Sequence, residues 1–95
     1  MTVESINIIV PLKNEEKSIE NLLNNLKPVI SENNKKIVIS LIDDHSTDQT
    51  WQVIQEYKKK LNFVKTYKNE YEAGFGNALR FAIDQNQEDA VIIFM

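Results

Sequence analysis

Residues 37–48 read Ile-Val-Ile-Ser-Leu-Ile-Asp-Asp-His-Ser-Thr-Asp, and this stretch decides the fold. Its first six residues are rich in branched apolar side chains and carry no charge, which is typical of a strand buried on both faces of a sheet. Two adjacent carboxylates, Asp43 and Asp44, follow at once. Because ligands of open α/β sheets bind beyond the carboxyl ends of the strands, these two acids are candidate binding residues.

The polar residues after the acidic pair allow two interpretations. Ser46 or Thr47 can cap a helix whose first turn carries Asp48, where a negative charge suits the positive end of the helix dipole. The same residue types also turn and cap a chain that has no function at that point. A cap needs only one carboxylate and neighbouring like charges repel, so a binding role is predicted for Asp43 and Asp44.

Composition excludes several classes of protein. The chain has 95 residues, of which 42% are hydrophobic and 26% charged, as expected of one ordinary globular domain. The net charge of −3, without a stripe of Lys and Arg, argues against a nucleic-acid partner. With no cysteine and one histidine, disulfides, thiolate metal sites and multi-histidine metal sites are excluded. No apolar run reaches the roughly 18 to 20 residues that span a bilayer, and we expect a cytoplasmic location.

Apolar runs and helical periodicities alternate along the chain. Strands are predicted at residues 5–12, 37–42, 62–68 and 90–95, and the alternation of apolar and polar residues in 62–68 indicates an edge strand. The order βαβαβαβ predicts a parallel sheet of about four strands with helices on both faces.

The predicted helices have recognisable starts and apolar faces. Asn14 is a candidate cap of the first helix, with Glu15 and Glu16 in its first turn, and Pro28 should kink or end that helix near residues 26–27. The second helix spans about residues 48–60, and Gly76 opens the third. The expected inward side chains are Ile19, Leu22, Leu23, Leu26, Val29 and Ile30 in the first helix, Trp51, Val53, Ile54, Tyr57 and Leu61 in or just after the second, and Ala78, Leu79, Ala82 and Ile83 in the third.

A glycine-containing turn, Ala-Gly-Phe-Gly-Asn-Ala-Leu-Arg at residues 73–80, begins the third helix. Gly74 and Gly76 let backbone N–H groups approach an anion at a helix start, and Arg80 can add a charged contact. The turn lacks the third glycine of a dinucleotide fingerprint and the Lys-Ser/Thr of a phosphate-binding loop. A plain turn and cap explains the two glycines equally well.

Three segments together resemble the N-terminal half of glycosyltransferase family 2, in the style of dolichol- and polyprenyl-phosphate sugar transferases. They are Val10-Pro11-x-x-Asn14-Glu15-Glu16, residues 42–48 and residues 74–79, followed by an apolar strand. The resemblance covers residues 1–95 and implies a truncated N-terminal, nucleotide-sugar-binding domain. It also implies the GT-A fold, in which a Rossmann-like nucleotide-binding half joins an acceptor half, and sugar transfer from a nucleotide sugar with Mg²⁺ or Mn²⁺.

The resemblance implies a role for each matching residue. Pro11, Asn14 and Glu15 would line the base and ribose pocket. Asp44, supported by Asp43, would accept a hydrogen bond from the base of a UDP- or GDP-linked sugar. Gly74, Gly76 and Arg80 would lie beside the ribose and diphosphate. Two positions depart from the family pattern, since many relatives have glycine at the position of His45 and a basic residue at that of Phe75.

The family places an Asp-x-Asp metal motif directly after an apolar run like residues 91–95, and the printed chain ends at Met95. We therefore expect the metal ligands, catalytic base and acceptor half to be absent, and the 95-residue chain to be inactive by itself. An alternative function is a structural half-domain that forms a homo-oligomer through its last strand, from Ala90 to Met95. A receiver-like phosphoacceptor domain fits poorly, because its acidic pair follows the first strand.

Overall fold

Within residues 2–94, which the computed structural model describes, four strands alternate with three helices. The elements are β1 (Ser5–Leu12), α1 (Ile19–Ser31), β2 (Lys36–Asp43), α2 (Thr50–Lys60), β3 (Val64–Lys68), α3 (Phe75–Asp84) and β4 (Ala90–Ile93). The strands form one parallel sheet in the order β3-β2-β1-β4. The predicted parallel α/β sheet is confirmed, and so is the edge position of β3; the prediction for Met95 lies outside the described residues.

The register of the sheet brings strand ends together on one edge. Leu12 at the end of β1 lies opposite Asp43 at the end of β2, and Asp43 lies opposite Lys68 at the end of β3. Pro11 is the penultimate residue of β1 rather than its stop. The residues that follow these three strands are therefore close neighbours at the carboxyl edge.

Helices cover both faces of the sheet, which gives three layers. On one face α1 and α2 pack against β1, β2 and β3, with Ile39, Leu41 and Ile54 fully buried. On the other face Ala78 and Ala82 of α3 pack on Ile9 and Ile42. Burial of these branched side chains stabilises the fold by about 1.5 to 3 kcal/mol each.

The α3 face of the sheet is polar at its amino end. Ser40 donates a hydrogen bond to Asn7 Oδ1 at 2.7 Å, and Asn7 Nδ2 donates to Asn86 Oδ1 at 3.0 Å. Glu88, whose side chain is 5% exposed, closes this end with two ion pairs. Its partners are Lys36 at 3.6 Å and Lys65 at 3.3 Å. The loop between α3 and β4 is thus fixed to the sheet by polar contacts rather than by apolar packing.

The start of α1 differs from the prediction. The helix begins at Ile19, so Glu15 and Glu16 precede it, and Asn14 does not cap it. The backbone N–H groups of residues 14–16 instead bond to side chains in the loop after β2 and at the first position of α2. These contacts between loops compete with the helix for the same donors, and they hold residues 13–18 in turns.

Pro28 does not end α1, which continues to Ser31. A proline here removes the N–H that would bond to the carbonyl of Asn24, but both residues are exposed, so water can hydrate that carbonyl. Ile30 packs against the core as predicted, whereas Val29 is 43% exposed.

The other two helices also begin elsewhere than predicted. Helix α2 starts at Thr50 rather than near Asp48, and its inward side chains are confirmed. Helix α3 starts at Phe75 with Gly74 before it, not at Gly76. Ala78 and Ala82 of α3 are buried as predicted, but the third buried residue is Phe81 and not Ile83, which is 50% exposed. Positions 78, 81 and 82 share one helical face.

Candidate functional site

The loops after β1 and β2 are joined by hydrogen bonds centred on Asn14. Its Oδ1 accepts from the backbone N–H of Thr47 at 2.8 Å and of Asp48 at 3.3 Å, and its own N–H donates to Ser46 Oγ at 2.9 Å. Asn14 has φ 53°, a left-handed conformation that asparagine tolerates. Ser46 and Thr47 therefore hold the adjacent loop and do not cap α2, contrary to the cap interpretation.

Asp48 accepts the first backbone N–H of α2. Its Oδ1 accepts the backbone N–H of Thr50 at 2.9 Å and the Thr50 hydroxyl, and its Oδ2 accepts the N–H of Glu16 at 3.4 Å. Partial desolvation acts to raise the pKa of the Asp48 carboxyl, but these hydrogen bonds together hold it below its ordinary value. The hydrogen bonds around Asp48 thus favour its charged, carboxylate form.

Asp43 and Asp44 are both only 5% exposed, but they bond to different loops. Asp43 Oδ1 accepts the N–H of Ser46 at 3.2 Å and so shapes its own turn. Asp44 reaches the loop after β3, where its two carboxylate oxygens share the N–H of Gly74 at 3.2 and 3.1 Å. A buried pair of acids is tolerated here because each has its own donors.

Asn69, just after β3, is a site residue that the sequence reasoning missed. It is 4% exposed, and its Nδ2 donates to Asp44 Oδ1 at 3.0 Å and to the carbonyl of Glu72 at 3.0 Å. Its Oδ1 accepts the N–H of Tyr71 at 2.9 Å. The local signal was an asparagine placed directly after a strand, a common turn residue, and nothing nearby in sequence indicated its partner 25 positions away.

The two glycines of the turn have different structural needs. Gly74 has φ 134°, which side chains rarely adopt, and it occupies the position before α3. A Cβ at Gly76 would meet no atom within 4 Å, so the fold itself does not require glycine there.

A cavity of about 250 Å³, here named the strand-end cavity, opens at the carboxyl edge of the sheet. It brings together predicted residues from three separate loops, namely Pro11, Asp44 and Gly74. Its remaining lining is Leu12, Lys13 and Phe75. The position beyond the strand ends and next to the start of α3 is where α/β proteins hold ligands.

Glu15 lines a second cavity of about 290 Å³, which shares Pro11 and Leu12 with the first and extends to Phe94. Arg80 lines neither; it lies in a cavity with Tyr71 and Asp84. There the hydrogen bond that Tyr71 donates to Asp84 raises the pKa of the tyrosine hydroxyl.

His45 lies in the loop between β2 and α2. Its φ of 57° lies in the left-handed region, where glycine is the least strained residue. Its Nε2 lies 2.9 Å from the carbonyl oxygen of Tyr71, which ties this loop to the one after β3.

The described residues do not fit a divalent cation on their own. Between residues 2 and 94 no group of three or more His, Cys, Asp or Glu side chains is placed to hold a metal ion. The acids nearest the strand-end cavity already bond to protein N–H groups. No chemical step is therefore assigned to a metal in this part of the chain.

A parallel sheet with helices on both faces and a cavity beyond its strand ends defines a Rossmann-like α/β protein. The chain belongs to a family within that class. A model of glycosyl transferase family 2 matches residues 7–95, which confirms the family resemblance found in the sequence.

Known relatives agree with this membership. The chain is 35% identical over 86 residues to poly(ribitol-phosphate) beta-N-acetylglucosaminyltransferase TarS of Staphylococcus aureus, covering 90% of this chain and 15% of TarS. It is 27% identical over 88 residues to dolichol-phosphate mannosyltransferase of Pyrococcus furiosus, covering 93% of this chain and 24% of that enzyme.

Solved structures confirm the fold. Residues 1–349 of S. aureus TarS, solved in complex with UDP-GlcNAc, match with a TM-score of 0.74 and 32% identity over 94% of this chain and 25% of that one. A mannosyltransferase of Pyrobaculum calidifontis, solved with GDP-Man and Mn²⁺, matches with a TM-score of 0.73 at 24% identity over 90% of this chain and 25% of that one. The chain thus spans about a quarter or less of these relatives.

Proposed function

We propose that this chain is the donor-nucleotide-binding part of a glycosyltransferase that uses a UDP- or GDP-linked sugar. The observation that carries the proposal is the strand-end cavity, in which Pro11, Asp44 and Gly74 meet. Membership of glycosyl transferase family 2 supports it, as does the likeness to TarS, which was solved with a UDP-sugar.

Each residue has a role in this proposal. Asp44 accepts an N–H of the base beside Pro11, and Glu15, in the adjoining cavity, accepts the ribose hydroxyls. Gly74 and Gly76 leave the start of α3 open to the diphosphate, which the helix dipole favours, and Arg80 supplies a positive charge further along the helix. Asn14 and Asp43 hold the two loops that carry these groups.

We propose further that a polypeptide of residues 1–95 binds nucleotide without transferring sugar. The divalent cation of the family, Mg²⁺ or Mn²⁺, needs carboxylates beyond those in residues 2–94. The proposed setting is the cytoplasm, in line with the absence of cysteine from the sequence. No helix formed by residues 2–94 has the length and apolar character to cross a membrane.

Binding of UDP and GDP to the 95-residue chain, followed by ligand-observed NMR, tests the donor site. Asp44→Asn removes the charge and puts an amide N–H₂ against existing donors, so affinity should fall about tenfold or more. The control is Glu56→Gln on α2, which should bind as the unchanged chain does. Equal affinity in Asp44→Asn, or no binding at millimolar nucleotide, would refute the proposal.

A second candidate function is self-association through β4. This strand is at the edge of the sheet, and Ile92 within it is 50% exposed. Unpaired edge groups beside an apolar side chain favour pairing with a second copy. Sedimentation should detect dimers that Ile92→Lys abolishes and Ile83→Lys, on α3, does not; a monomer at all concentrations would exclude this function.

A further inference from the structure

We propose that the strand-end cavity selects a uracil-type base over guanine, and that Asn69 is the positioning residue that sets this choice. The inference rests on the proposed nucleotide site and adds which nucleotide enters it. It follows from counting the hydrogen bonds that Asp44 already accepts.

Asp44 has little acceptor capacity left. A carboxylate offers about four acceptor positions, two on each oxygen. Oδ1 accepts from Asn69 Nδ2 at 3.0 Å and from the N–H of Gly74 at 3.2 Å, so both of its positions are taken. Oδ2 accepts only the shared N–H of Gly74 at 3.1 Å. One acceptor position, on Oδ2, therefore remains for a base in the cavity that Asp44 lines.

One free acceptor suits uracil and not guanine. Uracil presents a single imide N–H between two carbonyl oxygens, and that N–H needs one acceptor. Guanine presents a ring N–H and an adjacent amino group that point the same way, so it needs both carboxylate oxygens. With Oδ1 occupied, one guanine donor would be buried without a partner, which weakens binding. Adenine and cytosine present a ring nitrogen acceptor on the same edge, which a carboxylate repels.

Asn69 keeps an acceptor position on Asp44 Oδ1 occupied, because its side-chain amide is fixed in one orientation. Its Oδ1 accepts the N–H of Tyr71 and its Nδ2 also donates to the carbonyl of Glu72. A flipped amide would place Asn69 Oδ1 against two acceptors, Asp44 Oδ1 and the Glu72 carbonyl, and Nδ2 against the N–H of Tyr71, so all three bonds would be lost. The backbone N–H of Asn69 donates to the carbonyl of Asp43 at 2.9 Å, which fixes the residue beside the end of β2.

Competition among UDP, GDP, ADP and CDP for the unchanged 95-residue chain is the primary test and needs no variant. UDP should bind about tenfold more tightly than GDP, the cost of one unpaired buried donor, and more tightly than ADP or CDP. GDP binding as tightly as UDP would overturn the inference while leaving the nucleotide site intact. No binding by any of the four would overturn the proposed function itself.

Asn69→Ala tests the residue assignment. It frees an acceptor position on Oδ1, so the UDP-to-GDP affinity ratio should shrink toward one. The control is Tyr71→Phe, which removes the hydroxyl bond from the same loop to Asp84 and leaves Asp44 and Asn69 untouched. The control should keep the ratio of the unchanged chain, whereas an unchanged ratio in Asn69→Ala would overturn the role of Asn69. A loss of loop order alone would lower both affinities together and leave the ratio as it was.

Discussion

At the scale of single residues, Asp48 joins the loop after β1 to the start of α2. Its carboxylate accepts N–H groups from Thr50 and Glu16, one from each side of the junction. Because both bonds favour the charged form, the native pKa of this carboxyl is lowered. Asp48 thus links protonation to the order of the two loops that border the strand-end cavity.

We predict an acid-dependent loss of stability from Asp48. Its contribution is complete above the pKa of the unfolded chain, near 3.8, and disappears as the pH falls through the lower native pKa. Melting temperatures measured from pH 6 to about pH 2 should fall less steeply in Asp48→Asn than in the unchanged chain. Gln49→Ala, a neighbour outside these bonds, should keep the original slope. The same slope in Asp48→Asn would show that the carboxylate contributes nothing.

Ser40 gives a second residue-scale prediction, for the polar end of the α3 face. Ser40 is 1% exposed and donates to Asn7 Oδ1, which is buried beside it. Ser40→Ala should lower the free energy of unfolding by about 1 to 3 kcal/mol, since it leaves a buried acceptor without a donor. Urea denaturation measures this change. Ser31→Ala, which removes an exposed hydroxyl bond to Pro28, should cost much less, and equal costs would contradict the account.

The placement of residues near the strand-end cavity was predictable only where it depends on near neighbours in the sequence. Asp43 and Asp44 stood out because two acids follow an apolar strand, and the structure places Asp44 at the strand-end cavity. Asn69 did not stand out, because its hydrogen-bond partner Asp44 is distant in sequence. The prediction that Asn14 caps α1 was wrong for the same reason, since its partners belong to the loop after β2.

At the scale of elements, the four strands were predictable because parallel strands buried on both faces give short, nearly continuous apolar runs. Helix starts were less predictable. Side chains that usually cap a helix of their own, such as Asn14 and Ser46, here bond to each other's loops. The start of α1 consequently falls at Ile19, several residues after the predicted cap.

Pro28 allows a direct test at the element scale. It lies inside α1, where a proline lacks the N–H for the carbonyl of Asn24. Pro28→Ala should raise the free energy of unfolding by about 1 to 2 kcal/mol, because better helix propensity exceeds the greater entropy of the unfolded chain. Urea denaturation measures the change. Lys27→Ala, which keeps its N–H in either form, should shift stability much less. Destabilisation by Pro28→Ala would mean that the proline ring makes packing contacts that outweigh the missing bond.

At the scale of the whole molecule, three loops from three parallel strands meet because the register aligns the ends of β1, β2 and β3. The parallel sheet with helices on both faces was predictable from the order of the elements, whereas the order of the strands within the sheet was not. The placement of Gly74 and Arg80 in separate cavities was not predictable, since it depends on how far along α3 each residue lies. Arg80 is the clearest case, because it follows Gly74 closely in sequence but lines a different cavity.

Mapping of backbone amide signals during a UDP titration of the ¹⁵N-labelled chain shows whether nucleotide binds at the strand ends. We expect the largest shifts on Lys13, Asp44, Gly74 and Phe75, with smaller ones at Glu15. Amides around the apolar cavity between α1 and Phe63 should stay in place. Shifts centred on that cavity, or no shifts at millimolar UDP, would contradict the claim that the strand ends form a nucleotide site.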